Sequence, residues 1–307
     1  MSHRFFTLDV FTDTALAGNP LAVVLDADDL SDARMQAIAG EFNLSETVFL
    51  HRPDKKAHSA RARIFTPTRE LPFAGHPTIG AGVLLAHLKF GDGMEDGGRE
   101  CDAMFIIEET IGIVRVGVRL TPGKAPFAVF DLPKLPEETG RVPPVGDLAH
   151  GIGLVASDIG FDNHKPMRAS AGVPFVFVPV KDREALSRCR SNRIFWDTVF
   201  RGEDHGAMYI YCRDTDDENH AFRARMFAPA IGLAEDPATG AAAAAFACVV
   251  ERFEPLGDGV HQLWIEQGQD MGRPSLLSLE VEFAGGALAN ARIGGNAVIL
   301  QDGTIRV

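Results

Sequence analysis

The chain has 307 residues, 46% hydrophobic and 23% charged, with 42 acidic against 30 basic residues and a formal net charge of −12. That length exceeds a single core and predicts two domains of about 150 residues. The acidic balance, with no basic stripe interleaved with aromatics, argues against nucleic acid as a partner but leaves a small anionic substrate open, because a local pocket can be positive on an acidic protein.

The four cysteines, Cys101, Cys189, Cys212 and Cys248, have no paired or ligand-like spacing. Neither a disulfide framework nor a zinc site is expected, and a reducing cytoplasm fits. Asp9 and Asp13 interrupt the first apolar run, and the apolar stretch from Ala241 to Val250 is too short for a bilayer, so no membrane partner is expected.

In chain order, the elements of the first part recur in the second. Gly18-Asn19-Pro20 leads into the apolar run LAVVL, and Gly172-Val173-Pro174 leads into FVFV. A helix follows with Met35, Ile38 and Phe42 on one stripe, and its counterpart is a shorter candidate over 183–190. Segments rich in β-formers come next, at 47–52 and 208–213. Ala62-Arg63-Ile64-Phe65-Thr66-Pro67 then matches Ala224-Arg225-Met226-Phe227-Ala228-Pro229, an offset of 162 (224 less 62).

Shortly afterwards, His76-Pro77-Thr78-Ile79-Gly80-Ala81 matches Asp236-Pro237-Ala238-Thr239-Gly240-Ala241, an offset of 160 (236 less 76), and each opens a segment apolar nearly all round. A near-constant offset reports a duplicated unit. Each half therefore reads as α+β, a mostly antiparallel barrel-like sheet around a central apolar helix, with a shorter helix outside. The Pro-rich tract 120–145 marks the boundary, giving domains 1–125 and 126–307, with the last strands free to cross to the first half.

Proline at a first helical position loses no hydrogen bond, and a short polar residue before it can cap the free N–H groups. His76-Pro77 and Asp236-Pro237 are therefore predicted helix starts, and two such starts facing one cleft would suit a carboxylate. Asp236 reads equally well as a simple cap. His76 is a poor cap, which favours a functional role. Aligning Arg52 with Arg213 sets Glu46 opposite Ala207, so this carboxylate is present in one half only, as an asymmetric substrate would require; a solvated glutamate at a strand start is the plain alternative.

The motifs SETVFL at 45–50, FAGHPTIGA at 73–81, EDPATGAA at 235–242 and GNP at 18–20 resemble the PhzF-like family nearly end to end. Gln267-Gly268, Met271-Gly272-Arg273-Pro274-Ser275 and Ile293-Gly294-Gly295 add to the likeness. The resemblance implies the diaminopimelate epimerase-like fold, a homodimer, and isomerisation without metal or organic cofactor. It places the proton-transferring glutamate on Glu46 and its assisting residues on His76 and Asp236. The motif residues Asn19, Ser45, Gly75, Pro77, Thr78, Thr239, Gly240 and Ala241 become candidates for substrate binding. Ala241 stands where the family commonly has serine, so the phenazine-pathway reaction itself is left open. The alternatives are an epimerase or racemase of the same fold, whose two-thiol form would need cysteines at the helix starts, and a non-catalytic small-molecule binding protein.

Overall fold

A computed structural model describes residues 2–91, 99–200 and 206–307. Its first elements are β1 (Ser2–Val10), β2 (Asn19–Val24), α1 (Asp32–Phe42), β3 (Glu46–His51), β4 (Ala60–Phe65), β5 (Glu70–Leu71), α2 (Gly75–Phe90), β6 (Cys101–Glu109), β7 (Gly112–Leu120) and β8 (Phe127–Asp131). There follow β9 (Glu137–Glu138), α3 (Val145–Gly151), β10 (Met167–Ser170), β11 (Pro174–Pro179), α4 (Arg183–Arg188), α5 (Arg193–Val199) and β12 (Met208–Cys212). The chain ends with β13 (Phe222–Ala228), β14 (Leu233–Asp236), α6 (Gly240–Ala245), α7 (Ala247–Phe253), β15 (Gly259–Gln267), β16 (Ser275–Ala284) and β17 (Ala287–Arg306).

Contacts divide the chain into two units, one running through Pro133 and including Ile293–Val307, the other Lys134–Arg292. The division expected after residue 125 falls inside the first unit, because β8 pairs with β7 in register Val116 to Phe130. The Pro-rich tract thus contains a strand, and the break comes just after it. The end of β17 is assigned to the first unit, where it pairs with β1.

In the first unit the strands form a closed circuit, β1–β2–β3–β4–β6–β7–β8–β17 and back to β1. Within it β2–β3 and β4–β6 are parallel. Closure removes exposed sheet edges, and α2 fills the interior, touching β1, β2, β3, β6, β7 and β8. Its glycines set the approach distance: a Cβ on Gly80 would lie 2.3 Å from Leu21 Cδ2, and one on Gly82 2.6 Å from Val116 Cγ1. Outside the barrel, α1 turns Met35, Ile38 and Ala39 onto Val24, Phe49 and Phe65. Ser31 caps α1 by accepting from Arg34 N at 3.3 Å.

In the second unit the pairings run β9–β10–β11–β12–β13–β15–β16, with β14 alongside β13. The expected outer helix is α4, capped by Asp182, which accepts from Ala185 N at 2.7 Å. It is joined by α3 and α5, neither of which the apolar periodicity brought out. Leu148, Leu186 and Trp196 from these helices, with Phe200 just after α5, pack on Val176, Val178, Met208 and Ile210. The single buried helix expected after Pro237 is instead two short ones, α6 and α7, broken at Phe246.

The ladders make the repeat exact at the level of residues. Thr47 pairs with Phe65 and His51 with Arg61 in the first unit, while Met208 pairs with Phe227 and Cys212 with Arg223 in the second. Arg61 then pairs with Glu108, and Arg223 with Glu266. Two buried arrangements are repeated with it. Glu108 accepts from the Asp54 and Lys55 amides and lies 2.6 Å from His58 Nδ1; Glu266 accepts from the Asp216 and Asp217 amides and lies 2.7 Å from His220 Nδ1. Arg63 forms a two-pronged pair with Glu70, as Arg225 does with Glu235.

Candidate active site

The candidate residues are distributed over both units, Glu46 and His76 in the first and Asp236 in the second. Glu46 is the first residue of β3, where the parallel partner β2 offers Leu21. Its side chain keeps 20% of its surface exposed. His76 lies in the first turn of α2, is 3% exposed, and sets Nδ1 2.9 Å from Glu46 Oε2.

An ionised carboxylate only accepts hydrogen bonds, so Nδ1 is the donor in that form. The other ring nitrogen, Nε2, is buried and has no hydrogen-bond partner among the described residues. The pair therefore combines a carboxylate oriented by one hydrogen bond with an imidazole nitrogen still able to exchange one. This is the geometry expected of a general base and its orienting group.

Pro77 is not the first residue of its helix. Ala74, extended at φ −153° and ψ 135°, is the N-cap, and Gly75 and His76 precede Pro77 inside the first turn. Proline is tolerated there because its missing N–H has no acceptor within the helix. Thr78 donates from its amide to Ala74 O at 3.2 Å, and its Oγ1 lies 2.8 Å from the same carbonyl and 2.7 Å from Glu109 Oε1. Asn19 is buried at the start of β2, and Ser45 is half-buried just before β3.

In the second unit, Asp236 does not cap a helix beginning at Pro237. It ends β14, held in register opposite Met226, and α6 begins at Gly240 with Thr239 as N-cap. The ladder pairing keeps Asp236 extended, which delays the helix. Asp236 Oδ2 accepts from Thr239 Oγ1 at 2.6 Å. Gln267 completes this cluster: Nε2 donates to Asp236 O at 2.8 Å and to Thr239 Oγ1 at 3.0 Å, and Oε1 accepts from Thr239 N at 3.1 Å. Gly268 after it has φ +85°, and a Cβ there would come within 2.6 Å of Pro237 O, so only glycine lets the two loops meet.

Sequence reading assigned no site role to Glu109, Gln267 or Tyr209, although Gln267 lies in one of the motifs that carry the resemblance. Tyr209, on β12, is fully buried; its hydroxyl has no hydrogen-bond partner among the described residues. Burial first, and the negative charge of Asp236 second, push that hydroxyl above its ordinary range. The signal that could have found Glu109 and Gln267 is the ladder equivalence: each follows one of the duplicated glutamates, Glu108 and Glu266.

The cysteines stand elsewhere, Cys101 on β6, Cys189 after α4, Cys212 on β12 and Cys248 on α7. Burial pushes the last three thiols up to about 12. None lies at the start of α2 or α6, which removes the basis for a two-thiol epimerase. Among the described residues no group of His, Cys, Asp and Glu is arranged to hold a metal ion, and no helix is long and apolar enough to cross a membrane.

The sequence matches the Phenazine biosynthesis-like protein family over residues 8–303. The chain belongs to that PhzF family. It is 47% identical over 307 residues to an uncharacterized isomerase of Mesorhizobium japonicum, covering 99% of each chain. It is also 33% identical to the trans-2,3-dihydro-3-hydroxyanthranilate isomerase of Pseudomonas aeruginosa, covering 98% of each. Among solved structures, a PhzF-family phenazine biosynthesis protein of Bacillus anthracis superposes with a TM-score of 0.87 at 26% identity, covering 100% of both chains. A hydroxyproline epimerase of Agrobacterium vitis shares the fold at a TM-score of 0.61 and 12% identity, over 99% of this chain and 92% of its own. The PhzF-family chain is thus an α+β protein of the diaminopimelate epimerase-like fold and an isomerase acting on a small molecule.

Proposed function

We propose that this PhzF-family isomerase moves a proton between two carbons of a small, carboxylate-bearing substrate, with Glu46 as the proton carrier. The observation that carries this reading is the Glu46–His76 pair, 2.9 Å apart at the mouth of a buried helix. Glu46 removes a proton from a carbon activated by a neighbouring unsaturated or carbonyl system and returns it to another carbon, acting first as base and then as acid.

His76 Nδ1–H stabilises the ionised state of Glu46 before the transfer. As Glu46 takes up the proton, the bond weakens and the imidazole is released to share charge with the substrate's polar groups. The amides of Gly75 and His76, which lie before the first intrahelical bond of α2, are placed to meet an anionic group. Asp236, held by Thr239, is assigned to hydrogen-bonding of substrate, with Asn19, Ser45 and Gly240 as further contacts. This chemistry calls for no cofactor. Ala241 lacks the hydroxyl common in the family, so the preferred substrate is expected to differ from the dihydro-hydroxyanthranilate, or its turnover to be slower.

The test is incubation of wild type and Glu46→Gln with trans-2,3-dihydro-3-hydroxyanthranilate, and separately with a metabolite extract, in heavy water. Mass spectrometry follows deuterium entering a carbon position. Uptake that depends on Glu46 and survives dialysis against a chelator supports the reading; equal uptake by both proteins rejects Glu46 as the carrier.

A further inference from the structure

Glu109 and Gln267 occupy the same place in the two repeats, each directly after the glutamate that pairs with Arg61 or Arg223. Both reach the threonine near the start of the central helix, Glu109 to Thr78 and Gln267 to Thr239. In the second unit the direction of the hydrogen bonds is fixed by chemistry. The Gln267 amide can only donate from Nε2, so Thr239 Oγ1 accepts from it and passes its own proton to Asp236 Oδ2.

The first unit has the same chain of contacts with a carboxyl in place of the amide. Thr78 Oγ1 lies 2.8 Å from Ala74 O and 2.7 Å from Glu109 Oε1. A hydroxyl carries one proton, and a carbonyl carries none to give. If Thr78 serves Ala74 O, the proton in the second contact comes from Glu109. Glu109 is 8% exposed, and its Oε2 is buried with no hydrogen-bond partner among the described residues. A carboxylate would leave a charged oxygen dry and unpaired, at a cost well above that of a neutral acid.

We propose that Glu109 is a positioning residue that works as a neutral carboxylic acid, donating its proton to Thr78 Oγ1 and so fixing the first turn of α2 that carries His76. The surroundings agree. Burial pushes the carboxyl up to about 8, with the Thr78 bond pulling the other way. The elements around it carry His76 on α2, Arg61 and Arg63 on β4, Arg115 and Arg119 on β7, and Glu108 on its own strand, whose side chain alternates to the other face. None of these charges adds to the displacement.

The effect on turnover rests on the role proposed for His76; the protonation does not, so the two are read separately. Infrared difference spectra of the full chain, wild type minus Glu109→Gln, are recorded from pH 6 to 10. The expected result is a protonated-carboxyl stretch at pH 6 to 7 that gives way to carboxylate bands as pH rises past about 8; carboxylate bands alone at pH 6 overturn the proposal. Deuterium uptake into trans-2,3-dihydro-3-hydroxyanthranilate supplies the second reading. Glu109→Gln, which can still donate, should keep kcat within about threefold and lose the alkaline fall in rate. Glu109→Leu should lose at least about tenfold in kcat with KM little changed. If Glu109→Leu matches wild type, or if Glu109→Gln is as impaired as Glu109→Leu, the positioning role is wrong even where the infrared result stands.

Discussion

Glu46 and Ala207 stand at the same step of the two repeated ladders, each one residue before a pair, Thr47 with Phe65 and Met208 with Phe227. Duplication supplied two equivalent strand starts, and only one carries an ionisable group. The ladders thereby fix a correspondence that the sequence alignment reached through Arg52 and Arg213.

The asymmetry has an energetic side. Ala207 is 5% exposed, and the nearest counterpart of His76 in its repeat is an aspartate. Ala207→Glu would bury a carboxyl at a step of the repeat that has an aspartate in place of the imidazole that serves Glu46. The expected result is a loss of at least about 2 kcal/mol of stability at pH 7, read by urea unfolding, with the loss shrinking as pH falls and the new group becomes neutral.

His76 acts on Glu46 through one charge-assisted hydrogen bond, worth about 1.5–3 kcal/mol. His76→Ala is therefore expected to lower kcat by roughly 10- to 100-fold in the deuterium-uptake assay. On the proposed role of Glu46, KM should change less than kcat, because the bond orients the carboxylate more than it binds the substrate. A His76→Ala variant with wild-type kcat would remove the imidazole from the reaction.

Glu108 predicts a pH dependence of stability. The Asp54 amide first, then the Lys55 amide and His58, outweigh burial and hold the Glu108 carboxyl below its ordinary range. A depressed carboxyl stabilises the fold above its unfolded pKa, and that contribution is lost as pH falls through the folded one. Glu108→Gln should lower Tm at pH 7, and the gap from wild type should close as pH falls from about 5 to 3, the ordinary glutamate range and below. A gap that stays constant across this range would show that the charge contributes nothing.

The α+β class, the duplication and the central helix were legible because they rest on what repeats: the FxP segments, the proline pairs and the apolar runs all recur at nearly one offset. Glu46 stood out because it breaks the repeat. The exact helix starts were not, since Asp236-Pro237 satisfies the local capping rules while the ladder opposite Met226 overrides them. The equivalence of Glu109 and Gln267 stayed hidden for a related reason. A glutamate and a glutamine do not match as letters, and their equivalence appears only when parallel strands align Glu108 with Arg61 and Glu266 with Arg223.

The break between α6 and α7 supplies the last prediction. Phe246 sits at the break, fully buried, with its ring centroid 4.8 Å from that of Tyr211, 5.0 Å from Phe222, 5.7 Å from Phe177 and 5.9 Å from Tyr209. Five alanines precede it, from Ala241 to Ala245, so this one ring supplies the bulk at that end of the segment. Phe246→Ala is expected to cost about 3–5 kcal/mol through the cavity it leaves, and Phe246→Leu markedly less. Because Tyr209 packs on the same ring and its hydroxyl lies under the influence of Asp236, the cavity should also loosen the Asp236 cluster. Hydrogen exchange at the Thr239 amide, which donates to Gln267, reads this directly. Faster exchange in Phe246→Ala than in a variant equally destabilised at α4 would tie the aromatic cluster to the site; equal exchange would confine Phe246 to stability alone.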